Sequence, residues 1–130
     1  MTEFVWPVRV YWEDTDAGGV VYYANYLKFL ERARSEWLRS LGFEQDEMVA
    51  RDGVFFVVRR VEADYLSPAR FNDMLTVSSR LAEVGRASLE MTQTIRRGDQ
   101  PLLEARVKVA CVGARDFRPV RIPAHISERF

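Results

Sequence analysis

Apolar residues recur at helical spacing in one long stretch of the chain, residues 25–41, and this stretch predicts the main helix. Its apolar face consists of Tyr26, Phe29, Leu30, Ala33, Trp37, Leu38 and Leu41. Charged residues occupy most of the opposite side, as in a helix that packs one face against a core. Gly42 supplies a helix stop signal, and a shorter helix is expected over residues 45–51.

Strand patterns fill most of the remaining chain. The predicted strands cover residues 5–12, 54–65, 74–84, 87–95 and 103–111, with a short last strand over 118–122. Apolar and polar residues alternate in the later strands, and Arg-Gly-Asp-Gln between two of them is a hairpin turn signal. Short connections imply an antiparallel sheet. The sequence therefore predicts an α+β domain in which a five- to six-stranded antiparallel sheet wraps around one long helix.

The composition fits a single folded domain over residues 1–130. Hydrophobic residues make up 48% and charged residues 29% of the chain, as in ordinary globular proteins. Nineteen basic and nineteen acidic residues cancel, which argues against a dedicated nucleic-acid-binding protein. No apolar run approaches the roughly 18 residues of a membrane span, and no signal pattern begins the chain, so the cytoplasm is the expected compartment.

Metal and thiol chemistry have few candidates. Cys111 is the one cysteine and His125 the one histidine, so no disulfide can form within the chain. These two residues cannot supply the three or four ligands of a Cys/His zinc site, and no metal is expected. Cys111 alternates with two valines in a strand pattern, which predicts a buried thiol. His125 follows Pro123 with no acid nearby in sequence, and we expect it at the surface.

Residues 11–26 hold the most concentrated candidate chemistry. They run Tyr-Trp-Glu-Asp-Thr-Asp-Ala-Gly-Gly-Val-Val-Tyr-Tyr-Ala-Asn-Tyr, with three acids and a glycine pair directly before the main helix. A helix start exposes unpaired N–H groups and a partial positive charge, so it can hold a carboxylate or an incoming carbonyl oxygen. Asp16 has a second interpretation as a turn former, because Asp-Ala-Gly-Gly is ordinary turn chemistry. Glu13 and Asp14 are expected to be solvated or hydrogen-bonded loop acids.

The stretch 13–26 resembles the signature of hotdog-fold thioesterases of the 4-hydroxybenzoyl-CoA thioesterase family. Within that family it is most similar to the YbgC-type acyl-CoA thioesterases associated with the Tol–Pal gene cluster. Three shorter matches follow in order: Phe-Leu-Glu-Arg-Ala-Arg at 29–34, Asp-Tyr-Leu-Ser-Pro-Ala-Arg at 64–70 and Gly-Arg-Ala-Ser at 85–88. Tyr23 departs from many YbgC-type relatives, which carry a histidine there, and agrees with the 4-hydroxybenzoyl-CoA branch.

The resemblance implies an enzyme that hydrolyses acyl-CoA to a free acid and CoA. Asp16 is then the catalytic carboxylate, acting as a general base for water or as a nucleophile. The main-chain N–H of Tyr23 polarises the thioester carbonyl. Coenzyme A is part of the substrate, and no other cofactor is expected. Implied substrate contacts lie in the loop, at the helix start and in the later motifs: Gly18, Gly19, Val20, Tyr22, Ser67, Arg86, Ser88 and Arg115.

The family also implies a homodimer whose sheets join edge to edge, often paired again into a tetramer, with active sites between subunits. Two other functions stay open. A hotdog hydratase or dehydratase generally pairs an Asp with a nearby His, which this loop lacks. A non-catalytic protein that binds acyl-CoA or acyl carrier protein would take up the thioester without releasing a thiol. The preferred acyl group, whether short, long or aromatic, is not fixed by the sequence.

Overall fold

The computed structural model describes residues 3–130 of the chain. Within that range lie five strands, three α-helices and one short 3-10 turn. In chain order they are β1 (Phe4–Arg9), the turn Trp12–Asp14, α1 (Asn25–Ser40), α2 (Gln45–Asp52), β2 (Val54–Tyr65), β3 (Met74–Val84), β4 (Ser88–Arg97), β5 (Gln100–Gly113) and α3 (Ala124–Ser127). No helix in this part of the chain is both long and apolar enough to cross a membrane.

All five strands belong to one antiparallel sheet. Their order across the sheet is β1-β3-β4-β5-β2, so β1 and β2 form its two edges. One end of the sheet carries Tyr65 and Arg97 and is called the Tyr65 end below. The opposite end carries Val54, Val84 and Ser88 and is called the Ser88 end. The predicted α+β arrangement and antiparallel sheet are confirmed.

Helix α1 packs its apolar face onto the sheet. Phe29 and Ala33 are fully buried in one cluster with the inward-facing residues of the strands. Burial of such side chains contributes roughly 25 cal/mol per Å² of apolar surface, so this face is the main attachment of the helix. A buried amide adds a polar tie: Nε2 of Gln93, on β4, donates to the carbonyl of Leu30 at 3.1 Å. Arg34 donates to Oε1 of the same amide at 3.0 Å.

Two strand predictions were wrong at the ends of the chain. The first strand, expected over 5–12, ends at Arg9, and the chain then turns at Trp12–Asp14. The expected last strand over 118–122 is absent from the described residues, where Pro119 makes a single bridge to Val112. The N–H groups of Gly113 and Val120 bond across this bridge to the carbonyls of Arg118 and Cys111, and the Ile122 N–H then donates to the Arg86 carbonyl and not to β5. The sheet therefore has five strands, the lower of the two expected numbers.

Candidate active site

Asp14 organises the loop between β1 and α1 from the inside. Its side chain is buried, with 5% of the residue exposed. Oδ2 accepts the Tyr11 N–H at 2.8 Å and Oδ1 accepts Nδ2 of Asn25 at 2.9 Å. Its carbonyl accepts the Tyr22 N–H at 2.9 Å. These bonds tie the start of the loop to the start of α1, so Asp14 is the hydrogen-bonded loop acid that the sequence led us to expect.

Asp16 lies at the exposed tip of the same loop. Its Oδ1 accepts the Gly18 N–H at 2.8 Å, and this is the one hydrogen bond made by the carboxylate within residues 3–130. Main-chain bonds close the turn, from the Asp16 N–H to the Val20 carbonyl at 2.9 Å and from the Gly19 N–H to the Asp16 carbonyl at 3.0 Å. The expected turn-forming role is therefore present, and the other carboxylate oxygen stays open to solvent.

Both glycines have a geometric task in this turn. Gly19 has φ of 77°, a left-handed conformation that side chains disfavour. A Cβ on Gly18 would lie 3.2 Å from Oδ1 of Asp16, which is tighter than most such contacts. Gly18 therefore lets the main chain approach the carboxylate closely enough to donate to it.

The loop is anchored to the segment that precedes β3, at the Tyr65 end of the sheet. Val20 pairs with Arg70 and Thr15 pairs with Val21 as isolated bridges. The Val21 N–H donates to the Ala69 carbonyl at 2.9 Å. Because main-chain bonds hold both sides of the turn, the main chain at Asp16 has a fixed position relative to the start of α1.

The helix start presents unpaired main-chain donors. The Asn25 N–H donates to the Tyr22 carbonyl at 2.8 Å, which closes a turn around Tyr23 and Ala24. Within residues 3–130, the N–H groups of Tyr23 and Ala24 donate to no other group, and no side chain caps the helix. The first N–H groups of a helix need outside partners, and an oxyanion is a suitable one.

A shallow groove of about 310 Å³ opens beside this helix start. It is lined by Val21, Tyr23, Tyr26, Tyr65, Leu66, Ser67 and Pro68. Ser67 thus shares a groove with Tyr23, as a common site would require. The Tyr22 and Tyr23 rings lie with centroids 4.9 Å apart, and the neighbouring Tyr23 hydroxyl raises the pKa of Tyr22.

Three other residues implied by the resemblance lie elsewhere in the protomer. Ser88 begins β4, Arg86 precedes it, and Arg115 occupies the exposed turn after β5. Ten residues of β4 separate the two ends of the sheet, which is about 30 Å at the rise of a strand. Arg86, Ser88 and Arg115 therefore do not meet Asp16 within one protomer.

Arg86 instead shares a second groove, of about 420 Å³, with Arg121 at the Ser88 end. The carbonyl of Arg86 accepts the Ile122 N–H at 2.9 Å, so the tail of the chain runs beside it. Two guanidinium groups at one groove suit an anion such as a phosphate.

The thiol and the imidazole also lie at the Ser88 end, away from Asp16. Cys111 is fully buried, as predicted, and burial raises the pKa of its thiol to about 11. His125 is half-exposed, and its Nε2 lies 2.9 Å from Oδ1 of Asp52. Its acid partner comes from α2 and not from the nearby sequence. Among residues 3–130, no cluster of three or more His, Cys, Asp or Glu could hold a metal ion.

The comparison with known families decides the classification. Residues 18–104 match the thioesterase superfamily. This chain belongs to that superfamily. The acyl-CoA thioester hydrolase YbgC of Escherichia coli O6:H1 is 46% identical over 130 residues, which cover 99% of this chain and 96% of the relative. The predicted resemblance to the YbgC-type branch of the superfamily is confirmed.

Solved thioesterase structures share the fold. A probable thioesterase from Bartonella henselae superposes with a TM-score of 0.90 at 38% identity, covering 94% of this chain and all of that one. A 4-hydroxybenzoyl-CoA thioesterase mutant complexed with 4-hydroxybenzoyl-CoA superposes with a TM-score of 0.92, covering 98% of this chain and 97% of the other. At 21% identity the second likeness shows the fold alone. The expected hotdog fold is confirmed.

Tyr65 is the residue of this site that the sequence did not single out. Its hydroxyl donates to the carbonyl of Tyr23 at 2.9 Å, across a separation of 42 residues. The one sequence signal was its place at the end of a predicted strand, inside the matched motif at 64–70. Nothing in the local pattern indicates which carbonyl a strand-end hydroxyl will reach.

Proposed function

We propose that this thioesterase hydrolyses acyl-CoA to a free acid and CoA at the Asp16 turn and the start of α1. One observation carries the proposal: an exposed carboxylate in a turn closed by main-chain bonds stands before a helix start with two unpaired N–H groups. The acyl-CoA class is supported by the 46% identical relative, an acyl-CoA thioester hydrolase.

Asp16 supplies the base or the nucleophile. As a base it takes a proton from water, the hydroxide adds to the thioester carbonyl carbon, and the C–S bond breaks to release the CoA thiolate. As a nucleophile its oxygen adds to the same carbon and expels the thiolate, and water then hydrolyses the mixed anhydride. Both routes pass through a tetrahedral oxyanion. The Tyr23 N–H stabilises that charge, and removing one such donor in other enzymes costs about 10²–10³ in rate.

Two protomers complete the site. If β2 pairs antiparallel with its copy across a two-fold axis, the Tyr65 end of one sheet lies beside the Ser88 end of the other. Arg86, Ser88 and Arg115 of one subunit then face the Asp16 turn of its partner. Arg86 and Arg121 hold CoA phosphates in this arrangement. Half-exposed Val58 and Val61 on the free edge strand support such pairing, and the dimer can pair again into a tetramer.

The test is thiol release from a panel of short, long and aromatic acyl-CoA substrates, with acyl carrier protein thioesters as a further arm. We expect turnover by the wild type and almost none by Asp16→Asn. Glu13→Gln is the matched control, because Glu13 is an exposed acid in the same segment, and it should keep wild-type turnover. Saturable acyl-CoA binding without thiol release would instead establish a binding protein.

A further inference from the structure

Tyr65 connects the free edge of the sheet to the start of α1. It is the last residue of β2, and its hydroxyl donates to the Tyr23 carbonyl at 2.9 Å. Its ring packs edge-on against Tyr26, with centroids 5.5 Å apart, and against Tyr23, with centroids 6.5 Å apart. The hydroxyl is therefore aimed by two ring contacts as well as by its own hydrogen bond.

The Tyr23 carbonyl has no helical partner among the described residues. A regular helix would pair it with the Leu27 N–H, but that group donates to the Ala24 carbonyl at 3.2 Å. The Tyr65 hydroxyl donates to the Tyr23 carbonyl in place of the Leu27 N–H. Because a trans peptide is planar, with its C=O and N–H pointing in opposite directions, fixing the Tyr23 carbonyl also fixes the direction of the Ala24 N–H.

We propose that Tyr65 is a positioning residue for thioester hydrolysis: its hydroxyl fixes the Tyr23–Ala24 peptide and directs the unpaired Ala24 N–H toward the thioester oxygen, beside the Tyr23 N–H. The proposal rests on the function proposed above. Burial and the neighbouring Tyr26 and Tyr23 hydroxyls raise the pKa of Tyr65. The hydroxyl therefore keeps its proton at neutral pH and remains a donor.

The decisive variant is Tyr65→Phe, which removes the hydroxyl and keeps the ring packing. A small misplacement of catalytic groups costs up to about 100-fold in rate, so we expect kcat to fall about 10- to 100-fold. KM should stay within about threefold, because the lost interaction acts on the transition state. Tyr11→Phe is the matched control, since Tyr11 is 61% exposed and its hydroxyl makes no hydrogen bond in the described chain. It should keep the wild-type kcat.

A second measurement separates positioning from a merely structural role. An S-alkyl-CoA thioether lacks the carbonyl oxygen, so it should bind wild type and Tyr65→Phe with the same Kd, and both should melt at the same temperature. A kcat for Tyr65→Phe within twofold of wild type would overturn the proposal. So would a loss of activity that matches a lower melting temperature or a weaker thioether Kd. Absence of thiol release by the wild type would instead refute the proposed function.

Discussion

The two ends of the sheet carry different chemistry in one protomer. The Tyr65 end holds a carboxylate and unpaired main-chain donors, the groups that act on a carbonyl. The Ser88 end holds two arginines that line one groove, a buried thiol and a histidine bonded to an acid, none of which reaches Asp16. On the proposed function, one end performs the reaction and the other binds the CoA part of the substrate. On that proposal, joining the two functions requires a second copy of the chain.

The largest expected effect separates the two aspartates of the Tyr65 end. Asp16→Asn should lower kcat by several orders of magnitude while the melting temperature and the oligomeric state stay unchanged, because the turn needs only one side-chain acceptor at Oδ1. Steady-state thiol release and thermal unfolding measure the two quantities. Near-wild-type turnover of a good substrate would remove Asp16 from the chemistry.

Asp14→Ala should show the opposite pattern, in which stability falls first. It deletes two hydrogen bonds to a buried carboxylate, each worth about 1.5–3 kcal/mol. We therefore expect unfolding in denaturant to lose about 3 kcal/mol or more. Asp14→Asn keeps the shape of the side chain and should lose less. If both variants unfold like the wild type but turn over slowly, Asp14 takes part in the reaction and the contrast between the two acids fails.

A mixing experiment tests whether the two ends meet across subunits. Asp16→Asn and Arg86→Glu should each be impaired alone. In a mixed dimer, one site combines the intact Asp16 of one subunit with the intact Arg86 of the other, so unfolding and refolding the two variants together should restore activity. If both groups served a site within one protomer, mixing would restore nothing. Refolding each variant alone is the control.

The smallest effect belongs to the Ser88 end and concerns stability alone. Burial, with the Asp52 carboxylate nearby, raises the pKa of the Cys111 thiol to about 11, whereas a thiol in an unfolded chain ionises near about 8.5. Between these values the folded state binds more protons than the unfolded state, so stability falls as the pH rises. Denaturant unfolding should show a steeper decline between about pH 8.5 and pH 11 for wild type than for Cys111→Ala. If the stability of wild type and of Cys111→Ala declined equally with pH, the raised pKa of the Cys111 thiol would be wrong.

Local patterns predicted most of the fold. The spacing of apolar residues in α1 and the alternation in β4 and β5 come directly from burial against one core, so periodicity finds them. The end of β1 was missed because Asp14 turns the chain through its bond to the Tyr11 N–H. The segment 118–122 has a strand-like composition, but it leaves β5 after a single bridge, and its Ile122 N–H donates to the Arg86 carbonyl.

Long-range side-chain pairings could not be predicted from the sequence. The bond from Tyr65 to Tyr23 spans 42 residues and that from His125 to Asp52 spans 73, and neither has a local signal. Strand register decides that Arg86 and Asp16 lie at opposite ends of the sheet. Register depends on which strands pair. A family motif can therefore identify Arg86 and Asp16 as site residues without showing how far apart they lie in one protomer.

The main-chain donors at the start of α1 determine which substitutions of Tyr23 the proposed site can tolerate. Every amino acid except proline carries an N–H at the position of Tyr23, so on the proposed mechanism a substitution there leaves the oxyanion contact in place. The Tyr23 side chain is exposed and lines the groove, where on the proposed function it lies beside the substrate. Single substitutions at this position can therefore change the wall of the groove while the main-chain donor remains.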